Sequence, residues 1–147
     1  MGLTTILSLL AVTIMTVTVD GKVYSKCELA RELVSQHGVA RNEAHDWVCM
    51  ANAESSLRTT AVNTNRGGSS DYGLFQINSK WNCDPEDGRQ TYNSCRHPCS
   101  DYLNNDISDD VSCIKQLRRE HRGWGFSYGY GARCSSVTSS YLDGCTY

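Results

Sequence analysis

The chain reads as an α+β domain: a helical lobe, a small antiparallel β lobe and a cleft between them, held by four disulfides. Three observations predict this. Helical apolar spacing recurs on both sides of an extended, turn-punctuated middle. The 147 residues suffice for one core and are too few for two ordinary domains. Eight cysteines are spread along a short chain, the even count of a disulfide framework.

The elements follow in order. Ser25-x-x-Glu28 is a capping-box pattern opening a helix through CELARELVSQH, with Leu29, Leu33 and Val34 as its buried face and Gly38 as its terminator. Asn42 is placed to cap a second helix that runs to about Ser55. Residues 59–79, with Arg66-Gly67-Gly68 as the turn between extended stretches, predict a β-hairpin region. A loop rich in Asp, Asn, Gly and Pro follows from Asn82 to Pro98. Ser108 or Asp106 is placed to cap a third helix through Ile107–Arg119. The glycine-punctuated segment GWGFSYGYGAR predicts irregular structure rather than a helix.

Residues 3–19 form an apolar run, LTTILSLLAVTIMTVTV, at the extreme N-terminus. Its length is barely that of a membrane span, and the small residues before Lys22 favour a cleaved secretory signal over residues 1–21, with the domain proper at 22–147. All eight cysteines lie beyond that point. No C-x-x-C occurs and the four histidines are scattered, so disulfides are favoured over a metal site, although sequence alone allows 105 pairings of eight cysteines. The whole chain carries 14 Lys plus Arg against 16 Asp plus Glu. Loss of residues 1–21 removes Asp20 alone, which leaves a net charge near −1. That balance argues against nucleic acid as a partner and against a basic membrane-perturbing surface.

Two acidic residues stand seventeen positions apart in unusual settings. Trp47, Met50, Ala51 and Glu54 fall on one helical face, so Glu54 points among apolar neighbours and sits in the last turn of its helix. Burial and the helix dipole both disfavour its charged form, which suits a general acid. An edge glutamate reaching solvent is the plain alternative. Asp71 lies in SSDYGLFQINS, where Asn63, Asn65, Ser69, Ser70, Gln76 and Asn78 crowd the same region and amide donors favour the ionised form. Its plain alternative is an aspartate that satisfies a turn. One protonated and one ionised carboxyl, held apart by their environments, is what glycosidic-bond cleavage requires.

The words KVYSKCELA, DWVCMANAES and DYGLFQINS, with the eight spaced cysteines, resemble the c-type (animal-type) lysozyme family, glycoside hydrolases related to α-lactalbumin. The resemblance runs from Lys22 to the C-terminus. Lysozymes are themselves the standard illustration of the two-carboxylate contrast, so that contrast is inherited with the resemblance. The resemblance implies a lysozyme-like fold and the pairings Cys27–Cys145, Cys49–Cys134, Cys83–Cys99 and Cys95–Cys113. It implies Glu54 and Asp71 as catalytic residues and Asn65, Gln76, Asn78 and Trp81 as the lining of a sugar groove. Amides suit hydroxyl and N-acetyl groups, and an indole suits a pyranose face.

Two positions depart from the family pattern. Members usually carry a second large ring where this chain has Asn82, and a tryptophan against the catalytic glutamate, whose counterpart here falls on Ser127 or Tyr128. If Tyr128 or Phe126 swings in, an apolar wall survives; if Ser127 takes the place, Glu54 is expected to be wetter. The loop DYLNNDISDD resembles the calcium loop of α-lactalbumin and of calcium-binding lysozymes. Asp101, Asn104, Asp106, Asp109 and Asp110 are the candidates, with Asn104 standing where the family normally has Asp. Acids in a helix's first turn explain Asp109 and Asp110 equally well without an ion. Lys115, Arg118, Arg119 and Arg122 share one helical face, which would meet an anionic polymer or simply face water.

The expectation is therefore a secreted, extracellular and monomeric glycosidase that needs no cofactor, with peptidoglycan oligosaccharide as partner and neither nucleic acid nor membrane insertion involved. The resemblance implies cleavage of the β-1,4 bond between N-acetylmuramic acid and N-acetylglucosamine, with retention. The rival is a weak or inactive lysozyme-like carbohydrate-binding protein. Retention of both carboxylates favours the first, and the altered aromatic positions favour the second.

Overall fold

The structure is a computed structural model that describes residues 21–147; the expected signal segment 1–21 lies outside the described residues save Gly21. The described residues hold four α-helices: α1 (Lys26–Ser35), α2 (Ala44–Ser55), α3 (Ser108–Glu120) and α4 (Tyr128–Arg133). Strands β1 (Val62–Thr64), β2 (Ser70–Tyr72) and β3 (Ile77–Asn78) form one antiparallel sheet in sequence order. The β lobe thus has one strand more than the expected hairpin. It sits between α2 and α3 in the chain, which leaves the helical lobe built from both ends.

Helix α1 begins on the capping box as read from the sequence: Glu28 N–H donates to Ser25 Oγ (3.2 Å) and Ser25 N–H to Glu28 Oε2 (2.8 Å). It ends at Ser35, and Gly38 then adopts φ 62°, which returns the Val39 N–H to the Leu33 carbonyl (3.0 Å). Asn42 does not cap α2. It lies inside a 3-10 turn, Arg41–Glu43, that leads into the helix, and no side chain caps Ala44. The backbone bond from Glu43 N–H to Ala40 O (2.9 Å) organises that entry without a side-chain acceptor. At the start of α3 neither expected residue is the cap: Ile107 takes that position without a side-chain bond, and Asp106, one residue earlier, accepts the Ser108 N–H at Oδ1 (3.0 Å).

The core joins α1 (Leu29, Leu33), α2 (Trp47, Val48, Met50) and α3 (Val111, Ile114, Leu117) to Leu74, Phe75 and Ile77 of the β lobe, all buried. Full burial of such a side chain contributes about 1.5–3 kcal/mol. Leu74, Phe75 and Ile77 follow directly on Asp71, so packing that fixes the β lobe also fixes the carboxylate. The four disulfides have the pairing implied by the resemblance. Cys27–Cys145 closes a separation of 118 residues, a loop whose closure stabilises by about 4–5 kcal/mol in the chain-entropy view. Cys49–Cys134 joins α2 to the end of α4.

The segment expected to be irregular contains α4. Ser127 caps it by accepting the Tyr130 N–H (2.9 Å), and Arg133 Nη1 donates to the Ala53 carbonyl of α2 (3.0 Å). Tertiary anchors at both ends thus outweigh the low helix propensity of Gly129 and Gly131.

Gly73, in the turn between β2 and β3, has φ 75°, and a Cβ there would lie 2.0 Å from the Tyr102 carbonyl oxygen in the 3-10 turn Cys99–Leu103. Only glycine meets both demands. Gly73→Ala is expected to lower the stability by about 2 kcal/mol or more in urea unfolding, whereas Gly67→Ala, with open space around its Cβ, is expected to stay within about 0.5 kcal/mol.

Candidate active site

Glu54 and Asp71 face one cleft of about 270 Å³ between the lobes. Glu54 comes from the last turn of α2, whose inner face carries Trp47 (1 % exposed), Met50 and Ala51 in the core, as the helical spacing predicts. The turn is closed by Ser56 and Leu57, both in the left-handed region (φ 54° and 65°). Ser55 is buried, with its hydroxyl 2.7 Å from the Leu74 carbonyl. The residue next to Glu54 is therefore bonded to the β lobe, which holds the glutamate at the lobe boundary.

The half-buried Glu54 carboxyl also has polar partners. Ser127 Oγ donates to Oε1 at 2.5 Å, and Gly129 N–H donates to the same oxygen at 3.2 Å. The structure thus resolves the choice left by the sequence: Ser127 takes the place against the glutamate, and Tyr128 is 90 % exposed. Ser127 is itself only 7 % exposed, so it meets Glu54 as a bound hydroxyl rather than as an opening for water. Phe126 and Tyr128 both line the cleft, and behind them Trp124 stacks on Tyr130 (4.9 Å, 14°) and meets Trp47 edge-on (5.4 Å).

Asp71 occupies the middle strand, paired with Asn63 on β1 and Asn78 on β3. Its two oxygens are each held by an amide: Asn78 Nδ2 donates to Oδ1 (2.6 Å) and Asn65 Nδ2 to Oδ2 (2.8 Å). The period-2 register places Asn78 directly across from it. No described cation contacts it, so amides alone position its charge.

The expected sugar-lining residues divide. Gln76, Asn78 and Trp81 border the cleft, while Asn65 does not and serves Asp71 instead. Gln76 is largely engaged within the protein. Its Nε2 donates to the Ala61 and Gly73 carbonyls (3.2 and 3.0 Å) and its Oε1 accepts from Asn63 (2.7 Å). Asn78 likewise accepts the Lys80 N–H at Oδ1 (2.9 Å). Trp81 is 50 % exposed at the border of the cleft; it stacks on Tyr92 (5.0 Å, 14°), and Lys80 Nζ lies 4.8 Å from its ring centroid. Ser127, Phe126, Tyr128, Asn82 and Tyr92 were not among the expected binding residues. Tyr92 gave no sequence signal, because its contact with Trp81 depends on the path of the 82–98 loop.

A family model described as C-type lysozyme/alpha-lactalbumin family matches residues 22–145. The chain belongs to that family. It is 38 % identical over 137 residues to "Lysozyme c-1" of Anopheles gambiae, covering 93 % of this chain and 94 % of the relative. It is 41 % identical over 136 residues to "Sperm acrosome-associated protein 5" of Homo sapiens, covering 90 % and 85 %. Among solved structures, a lysozyme from Equus asinus superposes with a TM-score of 0.76 at 40 % identity, over 86 % of this chain and all of that one. Canine milk lysozyme in its holo-type structure gives 0.77 at 38 %, over 86 % and 99 %.

The loop that resembles the family's calcium loop has most of its side-chain donors engaged within itself. Asn104 Oδ1 accepts the Asp106 N–H (2.7 Å) and its amino group donates to the Asp101 carbonyl (2.7 Å), so it presents an N–H where an ion needs oxygen. Asp106 Oδ1 is occupied by Ser108, and Asp101 pairs with His97 (3.0 Å). Asp101 and Asp109 converge with His97 to within 4.8 Å rather than with the rest of the set. Asp110 is 1 % exposed, neither oxygen is hydrogen-bonded among the described residues, and burial next to Asp109 raises its pKa well above the usual range. With Asn104 and Asp106 engaged in their own loop, Asp109 and Asp110 are the carboxyls left, a poor fit to an ion that requires six to eight oxygens.

The basic face of α3 is partly engaged as well. Arg118 bonds Glu43 (3.0 Å), which holds that carboxyl below its usual range, and lies over Trp124 (4.4 Å). Lys115 Nζ donates to the His37 carbonyl. Arg119 and Arg122 remain exposed.

Burial and the hydrogen bond to Asp46 (2.6 Å) push the Tyr130 phenol from 10.0 up to about 12. The unfolded phenol ionises first, so this contribution to stability is complete below pH 10 and is lost as the pH rises through about 12. Tyr130→Phe is expected to flatten the alkaline fall of the melting temperature in that window. An unchanged slope would remove Tyr130 from the account.

Proposed function

We propose that the chain is a glycoside hydrolase that cleaves the β-1,4 bond between N-acetylmuramic acid and N-acetylglucosamine in peptidoglycan. The observation that carries this is the convergence of Glu54 and Asp71 on one cleft, one from the end of a helix and the other from the middle of a sheet. Membership of the lysozyme family supports the substrate class.

In this reading Glu54 transfers its carboxyl proton to the glycosidic oxygen. The C1–O bond breaks with its electron pair on the leaving oxygen, and the positive charge at C1 falls to Asp71, as nucleophile or stabiliser. Water then attacks C1 and returns a proton to Glu54, with retention as the family resemblance implies. Trp81, half-exposed at the border of the cleft, offers ring surface to a sugar. No cofactor is required. Secretion as a monomer after loss of residues 1–21 accords with four disulfides and with the absence, among the described residues, of any helix long and apolar enough to cross a membrane. Defence against bacteria and digestion of them are both consistent with this chemistry.

One observation favours the rival, a carbohydrate-binding protein of weak activity: Asn82 and Ser127 stand where the family's rings are expected, and Trp81 is the one tryptophan at the cleft. Both readings predict binding, and only the first predicts turnover. Peptidoglycan clearing by the purified protein is expected, with a loss of about 100-fold or more in Glu54→Gln. Binding without clearing by the unaltered protein would select the rival, and clearing that survives Glu54→Gln would remove Glu54 from the mechanism.

Calorimetric titration with calcium is expected to give no heat and no change in melting temperature. A saturable heat would mean that Asn104 and Asp106 exchange their loop hydrogen bonds for an ion.

A further inference from the structure

We propose that Ser127 is a positioning residue for Glu54, one that selects which carboxyl oxygen delivers the proton. The inference rests on the glycosidase reading above and adds a component that the family pattern lacks, since a tryptophan is expected at this place.

Ser127 Oγ lies 2.9 Å from the Tyr130 backbone nitrogen, a group that can only donate, so the hydroxyl accepts there. Its one hydrogen is directed to Glu54 Oε1, 2.5 Å away. Gly129 N–H also points at Oε1, at 3.2 Å. An oxygen that already receives two donors is the poorer place for a proton, so the proton that the glycosidase reading requires is placed on Oε2. No described residue donates to Oε2, which keeps that O–H free to reach a glycosidic oxygen.

The clamp is rigid. Ser127 is buried, its own N–H donates to the Trp124 carbonyl (3.0 Å), and Cys49–Cys134 ties α4 covalently to the helix that carries Glu54. Gly129 is required for the approach: a Cβ there would stand 2.7 Å from Oε1 and 2.8 Å from the carboxyl carbon. In place of an apolar ring that merely covers the glutamate, this chain uses a hydroxyl and an amide that orient it.

The test measures kcat and KM on soluble peptidoglycan oligomers for the unaltered protein, Ser127→Ala, Ser127→Thr, Gly129→Ala and Glu54→Gln. Ser127→Ala is expected to lower kcat by about 10- to 100-fold with KM nearly unchanged, since misorientation acts on the reacting geometry. Ser127→Thr, which keeps the hydroxyl, is expected to recover most of kcat, and Gly129→Ala to lose kcat as Ser127→Ala does. Unaltered kcat in either Ser127→Ala or Gly129→Ala, or a threonine variant as poor as alanine, overturns the proposal. If Ser127→Ala does not fold, the threonine and Gly129 variants decide. Failure of the underlying reading looks different: the unaltered protein would not turn over, or Glu54→Gln would remain active.

Discussion

The contact on which the arrangement turns is the buried Ser55 hydroxyl at the Leu74 carbonyl. It bonds the last turn of α2 to the β lobe one residue after Glu54, and three residues after Asp71 on the opposite side. The neighbouring left-handed Ser56 and Leu57 reverse the chain there, and Arg133 and Cys134 grip the same helix from α4. A helix end so constrained has little freedom to move its carboxyl away from the facing strand. The relative placement of the two acids is therefore a property of a packed junction rather than of flexible loops.

Around Asp71 the polar residues turn inward. Asn65 and Asn78 hold its oxygens, while Asn63, Gln76 and the Gly73 carbonyl brace the strands beside it. The amides that composition alone suggests for sugar hydroxyls are mostly engaged in holding one carboxylate. In the proposed reading recognition then falls to the aromatic residues of the rim, Trp81 backed by Tyr92 on one side and Tyr128 on the other. Exposed rings tolerate this role because a pyranose face needs area more than directional bonds.

On the helical side, aromatic mass has moved rather than vanished. Trp124 stacks on Tyr130, crosses Trp47 and accepts Arg118 over its face, so the ring sits one layer behind the cleft. Arg118, held there by Glu43, is part of the wall and is not a free charge for an anionic polymer. The space in front of the ring is filled by Ser127, which converts an apolar cover into a hydrogen-bonded one.

Local rules were enough for α1, where capping box, apolar stripe and Gly38 agree, and for the inward face of α2, because both depend on residues three or four apart. Family words in the chain led to the disulfide pairing and to both carboxylates. The sequence by itself thus determined the residue types at the site and the elements that carry them. Only the tertiary structure decided the rest. Asn42 yields to a backbone turn; GWGFSYGYGAR becomes helical once Ser127 and Arg133 find partners; and Ser127, not Tyr128, faces Glu54. Asn65 turns to Asp71 rather than to the cleft, Gln76 at the cleft's border is engaged within the protein, and Asn104 accepts a backbone N–H of its own loop. The contacts of Ser127 with Glu54 and of Arg133 with Ala53 join residues more than seventy positions apart, and neither propensity nor periodicity carries information about such partners. The turns at Asn42 and Asn104 are local, but their residues offer more than one bonding pattern and the path of the chain selects among them.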